Sequence, residues 1–152
     1  MLIPEPEAGL VIRYNFLWSH EAAQGAAEAS KDRPCAIILV VQDADGSRSR
    51  VSVLPITHAA PSSSGAALTH LKLTPGECRA AGLDAGEHWV VLAELNRFVW
   101  PGYDLRPVPG GESCVHGRLP VASWRRIVSA FLTLDDALKA AGQARQTMDR
   151  DT

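Results

Sequence analysis

Three features of the sequence predict a mainly β domain with C-terminal helices, an α+β chain built as a small barrel or strongly curved sheet. The run over 35–41 (C-A-I-I-L-V-V) is continuously apolar, too short to span a membrane and too β-branched to favour a helix. It reads as a strand buried on both faces. Asp45-Gly46 and an alternating stretch over 50–55 (R-V-S-V-L-P) follow it, which is the chemistry of a hairpin. Towards the C-terminus the apolar spacing changes to 121, 124, 127, 128 and 131, the stripe of an amphipathic helix laid over the strands.

The elements follow in order. Residues 1–8 are rich in Pro and Glu and read as a loose arm. A first strand covers 9–17, with Arg13 and Asn15 on the face opposite Ile12, Tyr14 and Phe16. The stretch 18–32 is Ala-, Gly-, Glu- and Ser-rich, is interrupted by Gly25, and reads as a long mobile loop of the kind that carries function or is disordered. Pro34 suits the first position of the central strand, where its missing N–H costs least, and this holds Arg33 at the strand's mouth. After the hairpin, 59–65 is a floppy connection and 68–73 alternates as a half-exposed strand. Thr74-Pro75-Gly76-Glu77 is a capping box that opens a short helix closed by Gly82. A further buried strand reads over 88–95, and 96–109 is a loop-and-strand passage with a turn at Trp100-Pro101-Gly102. Beyond the first C-terminal helix, Thr133 with Asp136 caps a second over 134–141, and the polar tail 142–152 frays. The expected organisation is one domain over 9–141.

Composition bounds the function. A chain of 152 residues, 46% hydrophobic, buries roughly 70% of its unfolded surface. No apolar stretch reaches transmembrane length, and Glu5 and Glu7 stand where a secretion signal would be basic, so a cytoplasmic protein without membrane association is expected. Cys35, Cys78 and Cys114 are odd in number and lack metal-ligand spacing, which suits reduced thiols, with Cys35 in the core. A formal charge of −2 argues against a wholesale basic nucleic-acid binder, so bound RNA or DNA would need a local basic groove. His20, His58, His70, His88 and His116 are scattered, with no HExxH or CxxC, so no metal and no cofactor are expected. There is no phosphate-cradling glycine loop and no G-x-S-x-G elbow.

What remains is a constellation at one sheet end. The hairpin brings the start of its first strand beside the end of its second, so Arg33 and Thr57 meet. A guanidinium there can neutralise a phosphorane-like transition state, and a threonine hydroxyl can donate to a phosphate oxygen. Removing a proton from a ribose 2′-OH needs a base, and His58 and His20 are the candidates by type. Trp18, Phe98 and Trp100 are placed in loops, either as stacking platforms for unpaired bases or as cover for a barrel end or dimer seam. Glu21, Glu28 and Glu94 either orient Arg33 or serve solubility, and Arg125-Arg126 is a solvated face.

The order of these parts, and the motifs R-P-C-A-I-I-L-V (33–40) and V-L-P-I-T (53–57), resemble the MazF/PemK family of toxin–antitoxin ribonucleases over roughly 9–135. The resemblance implies an SH3-like barrel with a C-terminal helix, a homodimer, metal-free cleavage of single-stranded mRNA, and neutralisation by a small antitoxin along the RNA groove. It implies catalytic roles for Arg33 and Thr57, matches Glu28 to the family's acid five positions before the arginine, and matches His20 to a loop histidine of some members. On the strand where some members carry an arginine and an aspartate, Glu94 keeps the acid, Leu92 replaces the arginine and Arg97 is the nearest substitute. Extra length lies in the Ala-rich loop, the helix at 75–82 and the tail. The alternative is a non-catalytic barrel of the same kind, acting as a protein-binding toxin like the gyrase poisons or as an interaction domain.

Overall fold

The computed structural model describes residues 1–62 and 68–150. The first half of the chain forms β1 (Leu10–Tyr14), α1 (Ser19–Ala23), β2 (Arg33–Gln42) and β3 (Ser49–Thr57). Then come β4 (His70–Lys72), α2 (Pro75–Ala80), β5 (Trp89–Val91) and β6 (Glu94–Val99). The chain ends in β7 (Val115–Arg118), α3 (Val121–Ala140) and β8 (Gln146–Asp149). Among the described residues the strands form one 8-stranded, mainly antiparallel sheet in the order β4-β5-β3-β2-β1-β7, with β6 on β3 and β8 on β6. The mainly β, α+β class is therefore observed. Among the described residues the two ends of the strand path do not pair, so the sheet they form is open.

Period-2 alternation sends side chains to two cores. Val11, Ala36, Ile38, Leu54 and Ile56 face one, where Ile127 and Leu134 of α3 join them. Ile12, Tyr14, Cys35, Ile37, Val51, Val53 and Phe98 form the other. The central strand is thus buried on both faces, but only as far as Ile38. The β2–β3 register slips between Ile37 and Leu39, and beyond this bulge Leu39 and Val41 are exposed. The Trp124 indole N–H donates to the Ile38 carbonyl at the bulge, 3.1 Å, and so ties α3 to β2.

Several expectations need correction. The arm 1–8 is not loose: Leu2 N–H donates to the Glu112 carbonyl and Cys114 N–H to the Leu2 carbonyl, while Arg118 pairs with Glu7. The loop 18–32 contains α1 and is held by hydrogen bonds. Asn15, buried, accepts from Ala29 N–H (2.8 Å) and donates to Asp32 (3.1 Å), and Glu21 accepts from Ser30 N–H. The stretch 88–95 is two strands, β5 and β6, which pair with different parts of β3. The two C-terminal helices are one, because the Thr133 hydroxyl donates to the Ser129 carbonyl inside α3 and does not cap. The floppy connection 59–65 lies partly outside the described residues.

The tail is the largest departure. Gln146–Asp149 pairs in parallel with β6, flanked by two arginines whose side chains are buried. Arg145, 6% exposed, donates to the Leu92 and Phe131 carbonyls and stacks on the Phe131 ring. Arg150, 4% exposed, donates to the Asn15 carbonyl and Asn96 Oδ1 and pairs with Asp104 at 3.0 Å. Carbonyls distant in sequence satisfy these guanidiniums, so a polar tail becomes a fixed strand. Among the described residues no helix is long and apolar enough to cross a membrane.

Candidate functional site

A cavity of about 810 Å³ opens where β2 begins and β3 ends. The antiparallel register of Cys35 with Pro55 and Ala36 with Leu54 carries on to this sheet end, where Arg33 also pairs with Tyr14 of β1 and Thr57 with Trp89 of β5. Arg33, Thr57 and His58 all line the cavity, with Arg13, Asp84 and His116.

The Arg33 guanidinium lies over the Trp18 ring, and its Nε is buried without a hydrogen-bond partner among the described residues. Burial pulls its pKa down, Cys35 and Glu21 push it up, and Arg13 adds to the lowering. An arginine still carries its charge at any physiological pH. The Thr57 hydroxyl oxygen accepts from Ala59 N–H (3.1 Å), which leaves its hydrogen to donate.

His58 extends from the end of β3 toward the loop 83–88. Its Nδ1 is 3.0 Å from the Glu87 carbonyl oxygen and its Nε2 is 3.1 Å from Asp84 Oδ1. The buried His88 ring lies tilted beside it, centroids 4.3 Å apart, and its Nε2 lies 3.1 Å from the same Asp84 oxygen. Two glycines bring this loop to the sheet. Gly82 has φ +69, and a Cβ there would lie 2.0 Å from the His116 carbonyl oxygen. A Cβ at Gly117 would lie 2.5 Å from Ala81 backbone. The end of α2 therefore packs directly on β7, and Asp84 and His116 arrive in one cavity. Burial lowers the pKa of His116, Arg13 lowers it further, and Asp84 partly offsets both.

The remaining sequence candidates lie elsewhere. Glu28 and the α1 residue His20 are exposed and outside the cavity lining. Phe98 is 2% exposed and stacks on Tyr14 at 4.8 Å, so it is core and no platform for a base. Glu94 accepts from Ser19 N–H at 2.6 Å and so fastens α1 to β6. Arg97 is held by a two-pronged pair with Asp149, at 2.9 and 3.0 Å. Trp100 lines a second cavity of about 510 Å³, and its indole N–H donates to the Pro4 carbonyl. Trp18 alone of the aromatic candidates touches Arg33.

Sequence reasoning missed Arg13, Asp84, His88 and His116. The one local signal was the Asp84-x-x-x-His88 spacing, and nothing local links it to His58. The histidines that read as scattered in the sequence are partly gathered by the fold, since His58, Asp84 and His88 offer ligand atoms all within 4.8 Å of one another.

The chain has no significant match among protein-family models, curated proteins or solved structures.

Proposed function

We propose that this chain is a metal-independent endoribonuclease of the MazF/PemK toxin type, cutting single-stranded mRNA in the Arg33–Thr57 cavity. The observation that carries the reading is that Arg33, Thr57, His58 and His116 line one cavity. Arg33 and Arg13 neutralise the scissile phosphate, and the Thr57 hydroxyl donates to a phosphate oxygen. His116, whose lowered pKa favours the neutral ring, takes the proton from the ribose 2′-OH. The 2′-oxygen then bonds to phosphorus, the bond to the 5′-oxygen breaks, and His58 gives that oxygen its proton. The products are a 2′,3′-cyclic phosphate and a 5′-hydroxyl.

In this reading the open sheet is a variant of the SH3-like barrel. The protein works as a cytoplasmic homodimer and is silenced by a small antitoxin laid over the cavity, as the family resemblance implies.

The test is incubation of the purified chain with long single-stranded RNA in EDTA, beside Arg33→Ala. The expected result is discrete cuts ending in cyclic phosphate, with a rate reduced by about 10²–10³-fold in the variant. RNA left intact by the wild type, or cut equally by Arg33→Ala, overturns the reading in favour of a non-catalytic binding protein.

A further inference from the structure

We infer that the chain binds one divalent transition-metal ion through His58 Nε2, His88 Nε2 and the Asp84 carboxylate, at the wall of the same cavity. The inference stands without the ribonuclease reading.

Its first support is the convergence of acceptors. The Glu87 carbonyl can only accept, so His58 Nδ1, 3.0 Å away, carries the proton of the neutral ring. The lone pair of Nε2 then faces Asp84 Oδ1 at 3.1 Å. His88 Nε2 faces the same carboxylate oxygen at 3.1 Å and the Asp84 backbone oxygen at 3.0 Å. Without a cation, neutral His88 donates Nε2–H to the Asp84 oxygens, whereas His58 Nε2 and Asp84 Oδ1 are two acceptors with nothing between them. Either His58 takes an extra proton, or a cation fills the gap and His88 moves its proton to Nδ1 to offer the Nε2 lone pair.

Geometry and chemistry favour the cation. Ligands about 2.0–2.1 Å from a tetrahedral zinc ion stand roughly 3.3 Å apart, within a few tenths of an ångström of the distances here. The Nδ1–H to carbonyl bond of His58 is the outer contact that metal-bound histidines make to fix their tautomer. His88, with its side chain 3% exposed, is a rigid ligand, whereas His58 and Asp84, at 57% and 73%, leave an entry path and an open position. Two imidazoles with one carboxylate select a first-row transition ion over calcium or magnesium. Gly86, with φ +114, lets the loop fold against His58.

The test uses the full chain, stripped with EDTA and desalted. Zinc chloride is titrated against a chromophoric chelator, and cobalt(II) serves as the spectroscopic probe. His58→Ala and Asp84→Asn are the comparisons, because both side chains are exposed and far-UV circular dichroism can verify their folding. We expect one zinc per chain, a raised Tm on zinc addition, and visible cobalt absorption of a low-coordinate site, all lost in both variants. Failure of the wild type to take up zinc stoichiometrically overturns the inference, as does undiminished uptake by either variant. None of these readouts involves RNA, so this result and the cleavage result fail separately.

Discussion

The Arg33 guanidinium sits over the Trp18 indole, its Cζ 5.0 Å from the ring centroid. With Nε buried and unpartnered among the described residues, the ring face is what fixes the cation at the cavity. Such a contact contributes about 0.5–2 kcal/mol. Trp18→Leu keeps apolar bulk and removes the ring face, so the RNA cleavage rate falls by about 2- to 30-fold with little change in Tm. Initial rates on a single-site oligonucleotide check this. A rate equal to wild type removes the positioning role from Trp18.

Glu77 joins α2 to α3. Its carboxylate accepts from Thr74 N–H (2.8 Å) in the capping box and from Arg126 on α3. Burial pushes its pKa up, but the hydrogen bonds of Ser123 and Thr74, with the Arg126 charge, outweigh burial and the net shift is down. A carboxyl whose folded pKa lies below its unfolded value adds stability above the unfolded value, near 4.5, and loses it as pH falls through the folded one. Glu77→Gln should cost about 1–3 kcal/mol at pH 7 and little below pH ~3. Urea unfolding at the two pH values measures the difference. An equal loss at both assigns Glu77 a packing role only.

The part of the site that was legible is the part joined by short-range chemistry. Asp45-Gly46 fixes the hairpin, the hairpin fixes register, and register brings Arg33 to Thr57. Thr74 and Glu77 announce α2 in the same way. The rest depends on encounters between distant segments. Gly82 was readable as a helix stop, but its close approach to β7 at Gly117, which delivers Asp84 and His116, has no local signature. Asn96, buried and bonded to both backbone groups of Leu17, interrupts the apolar pattern of β6, so the pattern alone places Phe98 in a loop. Arg145 and Arg150 make a polar tail structural only because Leu92, Phe131 and Asn15 present carbonyls to them.

That tail should therefore be an integral part of stability. Burial pushes the Asp104 carboxyl up, and Arg150 and Arg106 pull it back. Arg150→Met leaves Asp104 and the Asn15 carbonyl without their main donor, a loss of about 3–5 kcal/mol. For a chain of this size the Tm falls by roughly 6–20 °C. Adding Asp104→Asn recovers part of it, which calorimetry of the single and double variants measures. A Tm within a degree or two of wild type would mean the tail is dispensable.

His58 belongs to both proposals, and the two make a joint demand. As a general acid it must give a proton from Nε2, whereas as a metal ligand it offers the Nε2 lone pair, and one atom cannot do both. Stoichiometric zinc should therefore arrest cleavage, and excess EDTA should restore it. Asp84→Asn, with the shared carboxylate removed, should cut at a rate that does not change with zinc. Its own basal rate falls, since Asp84 lies 3.1 Å from His58 Nε2 and orients the ring. Initial cleavage rates across a buffered series of free zinc decide between the arrangements. Inhibition that follows zinc occupancy in the wild type and is absent in Asp84→Asn makes the ion a brake on the acid. A rate that rises with occupancy would instead assign proton delivery to another group and make the metal part of the machinery.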